Sequence, residues 1–306
     1  MNNKIKIWIR AIRAPFFTAT IASVALGAVV AWHDTGKLHL VYFILTILGT
    51  ILVNSGTNLI NDYFDHISNL DEINENHNQF SGGSRVIQEK LLTPRSILFA
   101  GLFSFLLASV IGLYLNYKSS GNVILIIGII GIFSGYFYTA KPFKLGYTPL
   151  GEIITGFGCG PLIVFGSYYV QAQKLSWQPL LISIPVGILV GLILFINEFP
   201  DYKADKAVGK KTMVVTLGKR KALKLYYSFL IITYLWVIAG VIIHIFPILT
   251  LVILITLPLS IKIIKVAQKN YNKISELLPA NAATIGLHLT FGLLLSGSYW
   301  LDGLIK

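Results

Sequence analysis

Long uninterrupted blocks of apolar residues constrain the fold of this chain more than any other feature of its sequence. The stretch from Val41 to Val53, for example, contains no charged residue. A window of about 18 or more apolar residues is typical of a membrane-spanning helix. Only 12% of the 306 residues are charged, whereas about a quarter are charged in a soluble domain. The sequence therefore predicts an all-α, polytopic membrane protein.

Nine candidate transmembrane helices can be placed on these blocks. Glycines divide several of them, but glycine is tolerated in membrane helices and small residues allow helices to approach closely. We interpret GFGCG at 156–160 as such a packing site, with close approach of a ligand as the alternative. No linker or low-complexity segment is present, so we expect residues 1–306 to form one domain. The predicted spans are Ile12–Trp32, Leu38–Ile60, Ser96–Tyr117, Asn122–Thr139, Pro149–Val170, Pro179–Asn197, Leu223–Ile245, Pro247–Val266 and Ala282–Leu301.

The basic residues are distributed unevenly between the two sides that these nine spans define. The N-terminal segment and the even-numbered loops hold 21 of the 25 lysines and arginines, and the other side holds four. Because basic loops remain in the cytoplasm, we expect a cytoplasmic N-terminus in a bacterial-type inner (plasma) membrane. This topology also explains the net charge of +12 without a nucleic-acid partner.

Two cytoplasmic loops open with acidic stretches that resemble each other. NDYFDHISNLD, at 61–71, follows the second span, and NEFPDYKADKAVGKKT, at 197–212, follows the sixth. In each stretch an asparagine and an aspartate are four residues apart, a spacing that places both side chains on one helix face. Pro200 predicts a kink or a new helix start in the second stretch. One acidic helix end is commonly just a solvated loop, but its repetition on two equivalent loops favours a shared site.

The residue types of these loops indicate which ligand such a site would bind. Carboxylate and amide oxygens suit Mg²⁺, which is often bound together with substrate phosphates. Histidines and thiols are not clustered here, which argues against zinc and iron. Lysines and arginines in the same loops would neutralise the remaining phosphate charge. The sequence therefore predicts a magnesium and diphosphate site at the cytoplasmic face.

At these residues the chain resembles the UbiA superfamily of intramembrane aromatic prenyltransferases. The two acidic stretches are similar to the two aspartate-rich motifs of that family. YTAKPFKLGYTPLGE at 138–152, FGCGPLIVFGSYYVQ after it and GKKTMVVTLGKR after the second motif resemble the MenA branch, which prenylates 1,4-dihydroxy-2-naphthoate in menaquinone synthesis. Glu198 and Phe199 depart from the pattern, since many members have asparagine or a small polar residue there.

The resemblance implies a helical bundle around a central polar cavity that opens sideways to lipid. It implies Mg²⁺-dependent transfer of a polyprenyl group from polyprenyl diphosphate to the aromatic acceptor, with decarboxylation to demethylmenaquinone. Two Mg²⁺ ions are expected, and Asp65 and Asp201 are expected to be essential. Asp71 is the expected base for a ring hydroxyl. The expected metal ligands are Asn61, Asp62, Asp65, Asn197, Asp201 and Asp205, and the expected substrate-binding residues are Arg85, Tyr138, Lys141, Lys144 and Lys210.

Two alternatives remain open. A different reaction of the same superfamily would use 4-hydroxybenzoate, haem, chlorophyllide or a glycerol-phosphate ether as acceptor. An ion-coupled transporter would also carry intramembrane carboxylates. Transporters, however, usually place these groups near mid-bilayer on broken helices, whereas the carboxylates here cluster at one face of the membrane.

Overall fold

The computed structural model of the chain describes residues 3–305, and every regular element in this range is helical. Eight helical segments are long and apolar enough to cross a membrane, and a ninth apolar helix, Val123–Tyr136, is shorter. These segments match the nine predicted spans in order, so the predicted all-α membrane architecture is confirmed. The eight longer segments are Ala14–Thr35, Leu40–Ile67, Pro94–Lys118, Gly151–Ala172, Gln178–Ala207, Lys219–Ile242, Ile248–Asn270 and Ile274–Ile305.

Several of these segments combine more than one type of helix. A 3₁₀ turn at Ala14–Phe16 opens the first, a π-helical turn at Gly158–Leu162 divides the fifth span, and a 3₁₀ helix at Ile248–Thr256 opens the eighth. In chain order the α-helices are α1 (Asn3–Ala11), α2 (Phe17–Thr35), α3 (Leu40–Ile67), α4 (Leu70–Ile73), α5 (Pro94–Lys118), α6 (Val123–Tyr136), α7 (Gly151–Phe157), α8 (Ile163–Ala172), α9 (Gln178–Ala207), α10 (Met213–Leu217), α11 (Lys219–Ile242), α12 (Leu257–Asn270) and α13 (Ile274–Ile305).

Both acidic motifs lie on the last turns of long helices. Helix α3 continues past the predicted end of its span at Ile60, and α9 continues past Asn197 to Ala207. Helix α9 passes through Pro200 without ending, so the predicted alternative of a new helix start at that proline is wrong. Because both helices continue, asparagine and aspartate side chains four residues apart share one face in each motif.

One side of the bundle has a continuous hydrophobic core. It joins α2 and α8 to α9, α11, α12 and α13, and it contains the fully buried rings of Phe195, Tyr226 and Phe291. Close backbone contact brings α7 and the π turn against α9, since a Cβ atom built on Gly160 would lie 2.4 Å from the Gly187 Cα atom. The interpretation of GFGCG as a packing site is confirmed.

On the other side, α3, α5, α6, α7 and α8 surround a cavity of about 900 Å³. Its wall is mostly aliphatic and includes several glycines, among them Gly128 of α6, beside which a Cβ atom would meet nothing within 4 Å. Leu115, Ile124 and Val170 form a small hydrophobic cluster at the helix ends remote from the acidic motifs. This side of the bundle therefore encloses apolar space instead of a packed core.

Candidate active site

A second, polar cavity of about 200 Å³ lies where α3 and α9 end. Side chains of both acidic motifs line it, although the motifs belong to helices on opposite sides of the bundle. The predicted site residues that line this cavity are Asn61, Asp65, Asp71, Tyr138, Asn197, Asp201, Asp205 and Lys210. The structure thus brings both motifs to one place.

The Asp65 carboxylate is held by hydrogen bonds on both of its oxygens. Asn61 Nδ2 donates to Oδ2 over 2.7 Å, and the hydroxyl of Tyr147 donates to Oδ1 over 3.3 Å. Tyr147 is held in turn by Ser68, whose Oγ lies 3.0 Å from the phenol oxygen. Asp65 is only 5% exposed, so these donors fix the direction in which its carboxylate faces the cavity.

The second motif is oriented by side chains from distant parts of the chain. Asn197 Oδ1 accepts a 2.7 Å hydrogen bond from Asn281 of α13. Asp201 Oδ1 accepts a 2.8 Å hydrogen bond from Asn74. The two oxygens of Asp205 are buried without any hydrogen-bond donor, and their nearest cation is the Lys210 ammonium at 3.4 Å from Oδ1.

Acidic side chains outnumber basic ones in the wall of the polar cavity. Its wall carries two basic side chains, Arg13 and Lys210, and five carboxylates, Asp65, Asp71, Glu198, Asp201 and Asp205. Burial alone would lower the pKa of Lys210, but the carboxylates of Asp205 and Asp65 outweigh it and raise that pKa well above its usual value. Buried carboxylates without donors are costly unless a cation or a hydrogen bond compensates them.

This donor set fits Mg²⁺, which prefers carboxylate and amide oxygens. The oxygens of Asp205, which accept no hydrogen bond, are the type of ligand that such an ion binds. Among the described residues, no three acidic, histidine or cysteine side chains converge closely enough to hold an ion by themselves. Amide, water or phosphate oxygens would therefore complete the coordination.

Asp71 lies deep in the cavity wall. Its carboxyl is 2% exposed, and its Oδ2 atom has no hydrogen-bond partner. Burial, together with the negative charges of Asp65 and Asp62, raises the pKa of Asp71 to about 9. The Gly83 backbone, at a φ of 76°, lies so close to this carboxyl that a Cβ atom on Gly83 would be 2.6 Å from Oδ2. The cavity wall therefore requires glycine at this position.

Four predicted site residues do not line the polar cavity. The Asp62 carboxylate is bound by Arg13 Nη2 at 2.5 Å and by the Ser84 backbone N–H and hydroxyl, so its oxygens are already engaged. Arg85 donates to the backbone carbonyl of Asp71. The geometry does not support direct metal or phosphate contact by these two residues.

The other two lie in the loop between α6 and α7. Lys141 is exposed to solvent. The Lys144 ammonium lies over the Tyr147 ring, 4.2 Å from its centroid. Lys144 therefore contacts a ring whose hydroxyl binds Asp65 of the cavity wall.

Residues 20–287 match the UbiA prenyltransferase family. The chain belongs to the UbiA prenyltransferase family. It is 31% identical to 2-carboxy-1,4-naphthoquinone phytyltransferase of Synechocystis sp., with 98% of this chain and 94% of the relative covered. It is also 31% identical to 1,4-dihydroxy-2-naphthoate octaprenyltransferase of Bacillus subtilis, with 91% and 87% covered.

Solved structures of UbiA homologues share the fold. One from Archaeoglobus fulgidus, bound to GPP and Mg²⁺, covers 95% of this chain and 99% of its own, with a TM-score of 0.66 at 17% identity. The predicted family, its similarity to the MenA branch and the integral membrane character are confirmed. This UbiA-family protein is a prenyltransferase.

Several residues that face or support the UbiA-family site were not predicted, among them Asn58, Arg13 and Tyr147. Asn58 extends the spacing of Asn61 and Asp65 along the same face of α3, so helical periodicity could have identified it. Arg13 comes from a segment with no periodic or motif signal. Tyr147 lies in the MenA-like stretch YTAKPFKLGYTPLGE, but that resemblance does not show which acidic residue the tyrosine contacts. Only the folded chain places them beside the cavity.

Proposed function

We propose that this UbiA-family protein transfers a polyprenyl group from polyprenyl diphosphate to 1,4-dihydroxy-2-naphthoate, with decarboxylation to demethylmenaquinone. The observation that carries this proposal is the junction of the two cavities, since residues such as Tyr138 and Thr155 line both the polar and the apolar one. A substrate with a charged head and a long apolar tail fits such a pair of cavities. The two relatives at 31% identity are named for naphthoate compounds, which favours this acceptor over the other acceptors of the superfamily.

In this proposal two Mg²⁺ ions would be held by Asn61 and Asp65 of α3 together with Asn197, Asp201 and Asp205 of α9. Bound there, Mg²⁺ would supply positive charge that stabilises the negative charge developing on the leaving diphosphate. The homologue solved with GPP and Mg²⁺ supports the choice of metal. Asp62 is not included, because Arg13 and Ser84 already bind its carboxylate.

Lys210 is the side chain best placed to bind a phosphate oxygen, since it is buried in the wall of the polar cavity. The Lys144 and Lys210 ammonium groups both contact the Tyr147 ring, at 4.2 Å and 5.8 Å from its centroid. The apolar cavity would receive the polyprenyl tail. The rings of Phe16, Phe80 and Tyr138 line the polar cavity, where they would keep water from an allylic cation and stabilise it.

Asp71 is proposed to take the proton of a ring hydroxyl from its ionised state, which bound Mg²⁺ would favour by offsetting the nearby negative charge. Its carboxyl lines the polar cavity and its Oδ2 atom has no partner. A carboxyl whose surroundings raise its pKa holds such a proton more firmly than an exposed one does. Arg85 supports Asp71 through the backbone carbonyl of that residue.

The distribution of charge gives the proposed orientation. The N-terminal segment and the even-numbered loops, which together carry 21 of the 25 basic residues, lie at the same membrane face as the ends of α3 and α9 in the proposed topology. We therefore place the site on the cytoplasmic side of a bacterial-type inner membrane. We further propose that residues 1–306 form one UbiA-like domain. A carboxylate cluster at one face, rather than at mid-bilayer, disfavours ion-coupled transport.

The test is product formation by the purified protein in detergent or liposomes. Polyprenyl diphosphate and Mg²⁺ are supplied with either 1,4-dihydroxy-2-naphthoate or 4-hydroxybenzoate, and the products are identified by mass. We expect a prenylated, decarboxylated naphthoate product, and no product when Mg²⁺ is chelated. A product from 4-hydroxybenzoate alone would refute the acceptor assignment, and no product from any acceptor would refute the proposed reaction.

A further inference from the structure

The junction of the polar and apolar cavities contains a side chain with an unusual pattern of hydrogen bonds. Under the proposed function this junction is where the first carbon of the polyprenyl group meets the acceptor ring. The inference below therefore rests on that function. The residues that line both cavities are Asn54, Asn58, Tyr138, Thr155 and Cys159.

The amide nitrogen of Asn58 donates two hydrogen bonds within the protein. One goes to the backbone carbonyl of Ile12 over 3.0 Å, and the other goes to Asn54 Oδ1 over 2.9 Å. A backbone carbonyl only accepts, so the bond to Ile12 fixes which end of the Asn58 amide is NH₂. Both hydrogens of that NH₂ group are used.

The remaining polar atom, Asn58 Oδ1, has no hydrogen-bond donor in the described part of the chain. The next amide along the helix differs in this respect. Asn54 accepts through its oxygen and donates through its nitrogen to Thr20 Oγ1 over 2.9 Å. Of the two amides at the junction, only Asn58 therefore has an oxygen that accepts no hydrogen bond from a described residue.

The position of Asn58 limits which ligand group can reach it. Asn58 lies seven residues before Asp65 on α3, which places it two helical turns, or about 10 Å, further from the acidic helix end. An ionised diphosphate offers no hydrogen to an oxygen acceptor, and a polyprenyl tail has no polar hydrogen. The hydroxyls of the aromatic acceptor are the groups that can donate.

We propose that Asn58 Oδ1 accepts a hydrogen bond from a ring hydroxyl of the aromatic acceptor and so holds the ring at the mouth of the apolar cavity. Ile12 and Asn54 keep the amide in the orientation that makes this possible. Asn58 is thus an acceptor-binding residue outside the two aspartate-rich motifs. An acceptor without a donor hydrogen at that position would leave the amide oxygen unpaired, at a cost in binding.

The first test separates the two substrates kinetically. The variant Asn58→Ala should raise the KM for the dihydroxy acceptor about fivefold, as expected for one lost neutral hydrogen bond, while the KM for polyprenyl diphosphate stays at the wild-type value. Thr20→Val is the matched control, because it breaks the adjacent bond to Asn54 but leaves the Asn58 oxygen in place. An equal rise of both KM values in Asn58→Ala would overturn the proposal.

The second test uses the two monomethyl ethers of the acceptor as competitive inhibitors, so that neither has to react. The ether that blocks the contacted hydroxyl should bind the wild type and Asn58→Ala equally, whereas the other ether should bind the variant about fivefold more weakly. If both ethers bind Asn58→Ala more weakly than the wild type by the same factor, Asn58 affects binding only through the fold. If Asn58→Ala does not fold, Asn58→Ser is measured in the same way. If the wild-type protein prenylates no acceptor, both the proposed function and this inference are wrong. If the wild type is active but Asn58→Ala loses the same affinity for both ethers, only this inference is wrong.

Discussion

The two sides of the bundle use their apolar residues in opposite ways. Helices α9, α11, α12 and α13 pack against one another and bury large rings such as Phe195 and Phe291. Helices α3, α5, α6 and α8 leave about 900 Å³ unfilled between them. Composition does not distinguish the two sides, because both are built from aliphatic residues and glycine. The difference lies in what surrounds the glycines.

Two glycines illustrate this point. A Cβ atom built on Gly187 of α9 would lie 2.8 Å from both the Gly156 carbonyl oxygen and Pro161 Cδ. A Cβ atom built on Gly128 of α6 would meet nothing within 4 Å. The packed side gives α9 a rigid support, and the open side gives α3 a neighbouring cavity. The acidic ends of these two helices meet at the boundary, so a rigid polar site adjoins a space fit for an apolar tail.

The largest effect should follow from removing one carboxylate from either side of that boundary. Asp65→Ala on α3 and Asp201→Ala on α9 should each lower kcat by about 10²-fold or more, because each removes a proposed charge-stabilising ligand. Transfer from radiolabelled polyprenyl diphosphate measures this. Glu276→Ala is the control, since its carboxylate is 49% exposed and lies at the start of α13. Near-normal turnover of either aspartate variant would show that its motif is not part of the site.

A leucine introduced at the two glycines should separate stability from substrate binding. Gly187→Leu should lower the Tm of the detergent-purified protein, because overpacking against backbone atoms costs about 1–3 kcal/mol or more. Gly128→Leu should leave the Tm near the wild-type value and raise the KM for a long polyprenyl diphosphate more than for a short one. Thermal unfolding and chain-length kinetics measure the two effects. A large loss of Tm in Gly128→Leu would show that the apolar space is closed in solution.

Features that lie within one helix are the parts of this architecture that the sequence predicts. The nine spans follow from the length of the apolar blocks and the pairing of Asn61 with Asp65 follows from their spacing, and both appear in the structure. The resemblance also implies Asp62 as a metal ligand, although this residue follows Asn61 directly. One residue along a helix turns a side chain by about 100°, and Asp62 accordingly contacts Arg13 and Ser84 instead.

The contacts that orient the motifs could not be predicted in this way. Asn281 and Asn197 are separated by 84 residues, and Tyr147 and Asp65 by 82. No local pattern links such pairs, because their contact depends on how helices and loops pack. The loop between α6 and α7 has no periodicity either, so its lysines could be assigned to the site by charge but not placed.

A smaller effect should follow from removing the hydroxyl that holds Asp65. Tyr147→Phe keeps the ring under the Lys144 and Lys210 ammonium groups but loses the donor to Asp65 Oδ1. We expect about a fivefold rise in the Mg²⁺ concentration needed for half-maximal activity, with little change in the KM for the aromatic acceptor. Tyr227→Phe is the matched control, because its hydroxyl bonds the Ile264 carbonyl outside the cavities. Equal behaviour of the two variants would mean that Tyr147 does not position Asp65.

The smallest effect is expected at Lys141, which the sequence grouped with Lys144 and Lys210 as a phosphate contact. Lys141 is exposed and does not line the polar cavity, and an exposed charge contributes at most about 1 kcal/mol. Lys141→Ala should therefore change the KM for polyprenyl diphosphate by less than about fivefold, whereas Lys210→Met should raise it by more than that. Steady-state kinetics at fixed ionic strength compare the two. A large effect of Lys141→Ala would mean that its loop folds over the cavity when the diphosphate binds, and that the polar side of the boundary is less rigid than the packing of α9 indicates.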